Sequence, residues 1–347
     1  MKKITMEDIA AQAGVSKATV SYVLNNKPGS FGISEKTAKR VLDAAQRLRY
    51  RPDQAAVALS ELKNAAVQLL LLSPWLYAQH SDFMAQCNAA LRQMREEHRL
   101  SLTSEPYDNG GLQKVLRPSR CEKYDAILVV GTSEADDRFL ARSQGRYPNV
   151  ILLNRRVEGY LSVSGNDDEI TCRLASRIAR TGRYQSYWIV ADSLSRCARL
   201  RMDGFARGLA SQGIEARRYL MDKGCTLEEH LLRLLDRLLE DGGGSAALFS
   251  QYYPASRLLM EAQKAGIDVP KTVGIAGYDQ NQLLQHYLPK QLTTVEPRIG
   301  EMTRAAVELA MEIKEGKELG SPLRPQILPA QIVEGETIYL TEREVTE

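Results

Sequence analysis

The sequence has little of what disulfide-stapled, metal-dependent or redox-active proteins are built from. Its 347 residues include five cysteines and four histidines. The cysteines are widely spaced with no Cys-x-x-Cys pair, and the histidines show neither His-x3-His nor His-Glu-x-x-His spacing. We therefore expect small, partly buried thiols in a reducing compartment, with no disulfide framework and no metal site. The cysteines are Cys87, Cys121, Cys172, Cys197 and Cys225.

Long apolar runs and nucleotide-binding loops are also absent. The longest apolar run, AAVQLLLL at 65–72, is too short to span a bilayer, and the N-terminus MKKITMEDIA has no apolar signal-peptide core. These features predict a cytoplasmic protein with no membrane partner. No GxGxxG, P-loop or Ser-His-Asp spacing is present, so we expect no cofactor and no enzymatic activity. The glycine run at 242–244 follows a predicted helix, which favours a loop over a phosphate cradle.

Charge is distributed unevenly along the chain. Residues 1–60 contain ten Lys and Arg against five Asp and Glu, whereas residues 61–347 contain 36 against 38. The length allows two or three domains, and the 44% hydrophobic content supplies a real core. A small basic N-terminal segment on a near-neutral body indicates that the segment binds a polyanion and the body has another role.

The first 26 residues have the pattern of two short helices joined by a tight turn. Thr5 and Asp8 have the spacing of a capping box at a helix start. Gly14 supplies the backbone freedom for the turn, and Ser16 is placed to cap a second helix that runs to Asn25. This spacing is typical of a helix-turn-helix, whose second helix enters the DNA major groove. The alternative is an ordinary helical hairpin.

A third helix follows and favours the DNA-binding interpretation. Ser34 is placed to cap SEKTAKRVLDAAQRLRY, whose apolar face would close a three-helix core. The segment DQAAVALS at 53–60 is too short to be a stable helix alone, so it should form only when something packs against it. The residues predicted on the apolar face of the third helix are Ala38, Val41, Leu42, Ala45 and Leu48.

These runs resemble the LacI/GalR family of bacterial transcription regulators. The resemblance is carried by MEDIAAQAGVSKATVSYVLNN, by SEKTAKRVLDAAQRLRYRPD and by AVAL at 56–59, and it continues through the whole chain. It implies a homodimer whose recognition helices read two halves of a palindromic double-stranded operator. It also implies that residues 53–59 become a hinge helix on the operator, where Leu59 would act as a wedge in the minor groove beside Ala56.

The resemblance assigns roles along the second helix. Lys17, Ala18 and Tyr22 would face base edges, while hydroxyl and amide side chains would hold phosphates. Tyr22 stands where the family usually has Arg or His, so its base preference does not follow from the family. The residues that would hold phosphates are Ser16, Thr19, Ser21 and Asn25.

From residue 66 onward, short apolar runs alternate with amphipathic stretches, which predicts parallel sheets with helices on both faces. The resemblance implies an α/β body of two Rossmann-like subdomains, similar to periplasmic binding proteins. Along the chain, the resemblance places this body after an all-α helix-turn-helix head and a hinge helix. The predicted domains are a DNA-binding domain at 1–50, a hinge and linker at 51–61, and an effector-binding and dimerisation domain at 62–347. Within the last, the first subdomain takes about 62–163 and 292–322, and the second about 164–291 and 323–342.

The resemblance also places an effector site in the cleft between the subdomains. Arg201 in SRCARLRMDGF would hold the ligand, and Asp279 in GYDQ would accept hydrogen bonds from ligand hydroxyls. Each residue has a plainer alternative: Asp279 as a helix cap, and Arg201 as a surface partner of Asp203 or Asp192. The other predicted cleft residues are Ser73, Trp75, Phe83, Thr132, Arg155 and Gln251.

Plainer roles exist for these residues too, with Trp75 and Phe83 as core aromatics and Arg155 as a surface cation. The chemistry of the set suits a sugar, and the pair Arg155 and Arg201 would also suit a sugar phosphate or a sugar acid.

The sequence thus predicts a sequence-specific DNA-binding regulator, most simply a repressor, controlled by a small effector. A transport-type sugar-binding protein shares the body's expected fold but would not need the basic N-terminal segment. A regulator controlled by a protein partner instead of a small molecule is a further alternative. The tail TEREVTE has no leucine heptads, so a dimer is expected and not a coiled-coil tetramer.

Overall fold

The chain divides into two compact units, residues Met1–Ala65 and Ala66–Glu347. They are seen in a computed structural model. The structure describes residues 4–25, 33–48, 50, 67–75, 82–192, 195–221, 224–240, 242, 244–317 and 323–341.

The described residues of the N-terminal unit form three helices: α1 (Met6–Ala13), α2 (Lys17–Asn25) and α3 (Glu35–Arg47). The predicted caps are present at all three starts. Thr5 and Asp8 form a reciprocal capping box, in which the Thr5 amide donates to Asp8 Oδ2 at 2.8 Å. Ser16 Oγ accepts from the Thr19 amide, and Ser34 Oγ accepts from the Thr37 amide.

Gly14 ends α1 in the left-handed region, with φ at 63°, and so makes the turn between α1 and α2. The three helices enclose a small apolar core. Leu42 was predicted in that core, but 45% of its surface is exposed. It lies one residue after the buried Val41, about 100° further round the helix, where neither α1 nor α2 covers it. The core residues are Ile9, Ala10, Ala13, Val20, Val23, Ala38, Val41 and Ala44.

The body contains two six-stranded sheets, each flanked by helices on both faces. The first sheet has the order β11-β5-β4-β3-β1-β2, and every pairing in it is parallel. Its strands are β1 (Val67–Pro74), β2 (Leu100–Tyr107), β3 (Ala126–Val130), β4 (Val150–Leu153), β5 (Leu161–Ser164) and β11 (Gln326–Ile327). Its helices are α4 (Asp82–His98), α5 (Leu112–Val115), α6 (Pro118–Cys121), α7 (Glu134–Arg142) and α13 (Ile299–Lys314).

The second sheet has the order β12-β10-β9-β8-β6-β7, parallel except where β12 pairs antiparallel with β10. Its strands are β6 (Ser186–Ala191), β7 (Arg217–Leu220), β8 (Ser245–Phe249), β9 (Val273–Tyr278), β10 (Thr293–Glu296) and β12 (Gln331–Val333). Its helices are α8 (Asp167–Ala179), α9 (Arg196–Ala210), α10 (Leu227–Glu240), α11 (Tyr252–Lys264) and α12 (Gln282–Gln285).

Burial on both faces explains why the strands read as continuous apolar runs. Leu69, Leu70, Leu71 and Leu72 all have no exposed surface, since alternate side chains enter the apolar clusters on opposite faces of the first sheet. Each sheet has one such cluster on either side, so each subdomain has its own two-sided core.

Three segments cross between the sheets, and they correct the predicted boundaries. The chain leaves the first sheet after β5 for α8, returns after β10 to α13, and crosses again between β11 and β12. The prediction gave 292–322 to the first subdomain, but β10 pairs with β9 in the second sheet. It gave 323–342 to the second, but β11 pairs with β5 in the first. Such pairings depend on long-range register, which the local pattern does not contain.

The strand order puts the carboxyl ends of β1 and β3, and of β6 and β8, at the reversal point of their sheets. In open parallel sheets this is where ligands bind. The segments after these strands contain Trp75, Thr132, Arg196 and Gln251. No helix in the described part of the chain is long and apolar enough to cross a bilayer.

Candidate functional site

The exposed side of α2 offers a compact surface of short polar side chains. Val20 and Val23 face the core, while Lys17 and Ala18 are exposed and Tyr22 is half-buried. Lys17 Nζ donates to Glu7 Oε1 at 2.6 Å, with both side chains more than 60% exposed. Such an exposed pair is worth less than about 1 kcal/mol, so this ammonium is readily available to a DNA base or phosphate.

The hydroxyl groups predicted to hold phosphates have local partners. Ser16 Oγ lies 2.9 Å from Thr19 Oγ1 while it also caps the helix, so both hydroxyls stabilise the start of α2. Ser21 is half-buried in the middle of the helix. The side chain of Asn25 and the hinge residues Ala56 and Leu59 lie outside the described part of the chain. Base and phosphate contacts for all of these residues stay predictions.

Arg201 is the centre of a buried network in the second subdomain. Its Nε donates to Asp167 Oδ2 at 3.1 Å, and its Nη1 donates to the Ser250 carbonyl at 2.9 Å and to Asp279 Oδ2 at 3.4 Å. The guanidinium stacks on the Tyr278 ring, 3.5 Å from the centroid. Burial alone would lower the pKa of Arg201, but the charges of Asp279 and Asp167 outweigh it and raise that pKa well above its usual value.

Asp279 follows β9 in the left-handed region, with φ at 72°. Its backbone is fixed there, because its amide donates to the Val295 carbonyl at 2.9 Å and its carbonyl accepts from Thr294 Oγ1. This turn points the carboxylate toward Arg201 while leaving 41% of the side chain accessible. The many protein atoms around it raise the pKa of Asp279 by desolvation, and Arg201 opposes that rise.

The plainer alternatives for these two residues are wrong. Arg201 is 6% exposed, so it is not a surface partner of Asp203 or Asp192, and the Asp203 carboxylate accepts from Arg218 instead. Asp279 does not cap the next helix, because Asn281 Oδ1 accepts from the Leu284 amide and performs that role.

Thr132 and Arg155 form a second buried group, in the first subdomain. Arg155 is 7% exposed, so it is not a surface cation. Its Nε donates to Thr132 Oγ1 at 2.9 Å, and its Nη2 donates to the Thr132 carbonyl. Thr132 Oγ1 in turn donates to Asp137 Oδ1 at 2.5 Å. The remaining Nη1 of Arg155 reaches Cys197 Sγ, 3.5 Å away on α9 of the other subdomain.

The other predicted cleft residues stand at the ends of strands or the starts of helices. Ser73 is buried near the end of β1, where the strand runs two residues further than the apolar pattern suggested. Trp75 directly follows β1 and is 51% exposed, so it is not a core aromatic. Phe83 is half-buried against the first core, and Gln251 is half-buried as the residue before α11.

Sequence reasoning missed three residues of the site. Asp167 opens α8 and pairs with Arg201, and Tyr278 Oη donates to its other oxygen at 2.8 Å. Asp82 opens α4 at the cleft edge of the first subdomain, where its pKa is raised by burial and by the negative charge of Asp279. Tyr278 directly precedes Asp279 in GYDQ, so its place beside the site could have been inferred from the sequence, whereas no local pattern connects Asp167 or Asp82 with Arg201.

The start of α9 joins the two subdomains beside this site. Arg199 Nη2 donates to Glu134 Oε1, and Arg196 Nη1 donates to the Arg156 carbonyl at 2.8 Å. Glu134 and Arg156 belong to the first subdomain, whereas α9 packs in the second. The subdomains are therefore in contact through α9 in this conformation.

A capped helix-turn-helix with a polar exposed helix, on one chain with a two-subdomain α/β body and a buried polar cleft, defines the class of ligand-responsive DNA-binding regulators. The family comparisons agree over both parts. The chain matches "Bacterial regulatory proteins, lacI family" over residues 5–53 and "Periplasmic binding protein-like domain" over residues 175–338.

Known proteins give the same result over nearly the whole length. HTH-type transcriptional regulator GalS of Salmonella typhimurium is 28% identical over 320 residues, 89% of each chain. A LacI-family transcriptional regulator from Silicibacter pomeroyi has a similar structure, with TM-score 0.68, 25% identity, and coverage of 96% of this chain and 99% of that one. The Lac repressor dimer bound to operator and the anti-inducer ONPF has TM-score 0.66 at 19% identity, covering 97% and 99%.

The chain therefore has a lacI-family helix-turn-helix domain and a periplasmic-binding-protein-like domain, and it is a transcriptional regulator.

Proposed function

We propose that the protein represses transcription by binding a palindromic operator as a homodimer, and that a small hydroxyl-rich effector in the cleft sets its operator affinity. The observation that carries the effector role is the Arg201 network. A guanidinium held by Asp167 and Asp279 over the ring of Tyr278 is a rigid polar floor at the carboxyl ends of parallel strands.

The partially accessible carboxylate of Asp279 supports binding of hydroxyl groups. A carboxylate accepts hydrogen bonds from two vicinal hydroxyls, and Arg201 fixes its orientation so that little entropy is lost on binding. The ring of Trp75, half exposed directly after β1, is suited to cover the apolar face of a sugar.

Control of DNA binding follows from the contacts between subdomains. The contacts of Arg199 with Glu134 and of Arg155 with Cys197 join the two subdomains, so they depend on the relative orientation of those subdomains. An effector that binds one orientation more tightly shifts the population toward it, and equal affinity for both would shift nothing. A tenfold change in operator affinity needs a difference of about 1.4 kcal/mol between the two states.

The experiment is fluorescence-anisotropy titration of the full-length protein on DNA from upstream of its own gene, over a series of salt concentrations. We expect tight binding whose affinity falls steeply with salt, since several phosphates are neutralised. Tyr22→Ala should reduce sequence preference more than it reduces affinity for unrelated DNA. Lys36→Ala, an exposed change on α3, is the matched control and should change the affinity for both DNAs equally.

Equal affinity of the unmodified protein for upstream and unrelated DNA would contradict operator recognition. Half-site spacing tests the dimer separately. A homodimer predicts that inserting about half a helical turn between the two halves of the bound site abolishes tight binding, and unchanged binding would contradict the dimer.

A further inference from the structure

A basic pocket lies at the open edge of the second sheet. β7 is the last strand of that sheet, and α10 shares an apolar cluster with it. Beside them is a space of about 270 Å³, here called the edge pocket, whose described lining residues include three arginines and no carboxylate. They include none of the cleft residues, so the edge pocket is a separate feature. The lining residues are Arg218, Tyr219, Leu220, His230, Arg233 and Arg237.

Helix α10 contributes a stripe of basic side chains to the edge pocket. His230, Arg233 and Arg237 are spaced three and four residues apart, so they follow one side of the helix. His230 is buried, and the Tyr219 hydroxyl lies 3.2 Å from its Nδ1 and donates to its carbonyl at 3.1 Å. The two arginines are exposed. A fixed pair of buried rings therefore lies beneath two accessible guanidinium groups.

Arg233 and Arg237 do not pair with the acids beside them on α10. Glu229 is one turn before Arg233, but it accepts from the amide that precedes α10, at 2.7 Å. Arg233 Nη1 donates to Cys225 Sγ at 3.2 Å, and the Arg237 guanidinium lies 5.4 Å from the centroid of the Tyr219 ring. No carboxylate in the described ranges lies within 4.0 Å of either guanidinium. Like charges one turn apart destabilise a helix, and a bound anion would relieve that cost.

The other charges around the edge pocket have partners or lie outside its lining. Arg218 pairs with Asp203 of α9 at 3.4 Å, and the Arg217 guanidinium lies 5.2 Å from the centroid of the Trp188 ring. Residues 222 and 223, an aspartate and a lysine outside the described ranges, add no net charge. The acids of α10, all exposed and none of them a lining residue, are Glu228, Glu229, Asp236 and Glu240.

The open edge of β7 adds backbone donors. The Met221 amide donates to the Ala191 carbonyl of β6 at 2.9 Å, so every second residue before Met221 also turns its amide toward β6. The amides of Arg218 and Leu220 alternate with these and point to the other side, where β7 has no neighbour among the described strands. Both residues line the edge pocket. Unpaired amides of this kind are suited to bind an anion.

We propose that the edge pocket binds the phosphate group of a small phosphorylated molecule, as a second ligand site outside the cleft. Two guanidinium groups without carboxylate partners, together with two edge amides, match the double charge and three oxygens of a phosphate ester better than the single charge of a carboxylate. Leu220 is 43% exposed at the same edge and offers an apolar contact to the carbon skeleton of an ester. This proposal does not depend on the effector proposed for the cleft.

The test is a phosphorus NMR titration of the full-length protein at neutral pH with glycerol 3-phosphate and, separately, with inorganic phosphate. Both should bind saturably because they share the phosphate group, and glycerol 3-phosphate should bind more tightly because of the contact with Leu220. Glycerol, followed by proton NMR, should not bind. Equal affinity for inorganic phosphate and glycerol 3-phosphate would overturn the assignment to an ester, since the edge pocket would then take free phosphate.

The decisive variants are Arg233→Gln and Arg237→Gln. Each removes one charged donor from an exposed position, so the fold should be kept, and each should weaken glycerol 3-phosphate binding about tenfold. Arg207→Gln is the matched control, because Arg207 is an exposed arginine of the same subdomain that pairs with Asp168 at 3.2 Å. It should leave the affinity for glycerol 3-phosphate unchanged.

Three results would overturn the proposal. The first is that neither phosphate compound binds saturably, and the second is that the affinity survives in both variants, which would place binding elsewhere. The third is that the double variant loses more affinity for unrelated DNA than Arg207→Gln does, because the arginines would then contact the DNA backbone. Effector control of operator binding is measured with cleft ligands, so failure of the edge pocket leaves the proposed function standing.

Discussion

Replacing Arg201 with methionine tests whether the buried network holds the second subdomain together. Methionine keeps much of the side-chain volume but removes the guanidinium, so Asp167, which is 7% exposed, becomes a buried charge without a counter-ion. Removing one partner of a buried pair costs about 3–5 kcal/mol. The low end applies here, because Tyr278 Oη continues to donate to Asp167. Asp279 is 41% accessible, so the loss of its ion pair with Arg201 adds a cost of less than about 1 kcal/mol.

The assay is urea unfolding of the full-length protein followed by far-UV circular dichroism, for Arg201→Met, Asp167→Asn and the double variant. We expect a loss of about 3 kcal/mol for Arg201→Met and a coupling energy of at least about 1 kcal/mol, since Asp167→Asn removes the stranded charge. Arg218→Met is the control, because its pair with Asp203 is exposed and should cost less than about 1 kcal/mol. Additive single-variant losses, or equal losses for Arg201→Met and Arg218→Met, would refute the reasoning.

Three further predictions concern packing, pH and helix capping. Gly204→Ala should lower the free energy of unfolding by about 1–3 kcal/mol in urea titrations, because the added Cβ would lie 2.0 Å from Thr171 Oγ1; no loss would contradict the close helix contact. Asp82→Asn should raise the free energy of unfolding at neutral pH by less than about 1 kcal/mol after screening, which thermal unfolding would show as a higher midpoint. Because burial and Asp279 raise the pKa of Asp82, its cost is present above that raised pKa and disappears as pH falls toward 3.8, so the gain should vanish in acid. Thr5→Ala should destabilise α1 by about 0.5–2 kcal/mol in amide hydrogen exchange of the N-terminal unit, and unchanged exchange would count against the capping box.

Local patterns in the sequence were sufficient for the helix starts and the central strands. The caps at Thr5, Ser16 and Ser34 depend on residues three positions away, so their spacing alone predicts them. Strands such as β1 and β3 are buried on both faces and appear as unbroken apolar runs.

Elements defined by distant partners were not predictable in the same way. Three short strands, β5, β7 and β11, have no apolar run of their own. Their positions in the sheets depend on strands far away along the chain. The pattern also put Leu42 in the core, since it cannot show which side of a helix the two neighbouring helices cover.

The site residues that the family resemblance names were predictable from the sequence. The residues that only the tertiary fold brings next to them were not. Arg201 and Asp279 were expected to share the cleft, and they are 3.4 Å apart. Asp167 lies 34 residues before Arg201, and Asp82 lies in the other subdomain, so nothing local connects either with the network. Arg155 was expected to face the ligand as a cation, whereas its donors bind Thr132 and Cys197.

The measurement that tests the central claim most directly is operator affinity with and without a cleft ligand. Anisotropy titrations on upstream DNA would be repeated with a panel of hexoses, sugar phosphates and sugar acids, using the full-length protein and its Arg201→Met variant. We predict that at least one ligand changes the operator affinity of the unmodified protein tenfold or more, about 1.4 kcal/mol, and that the affinity of Arg201→Met does not respond. Tight operator binding that every ligand leaves unchanged would contradict control through the cleft.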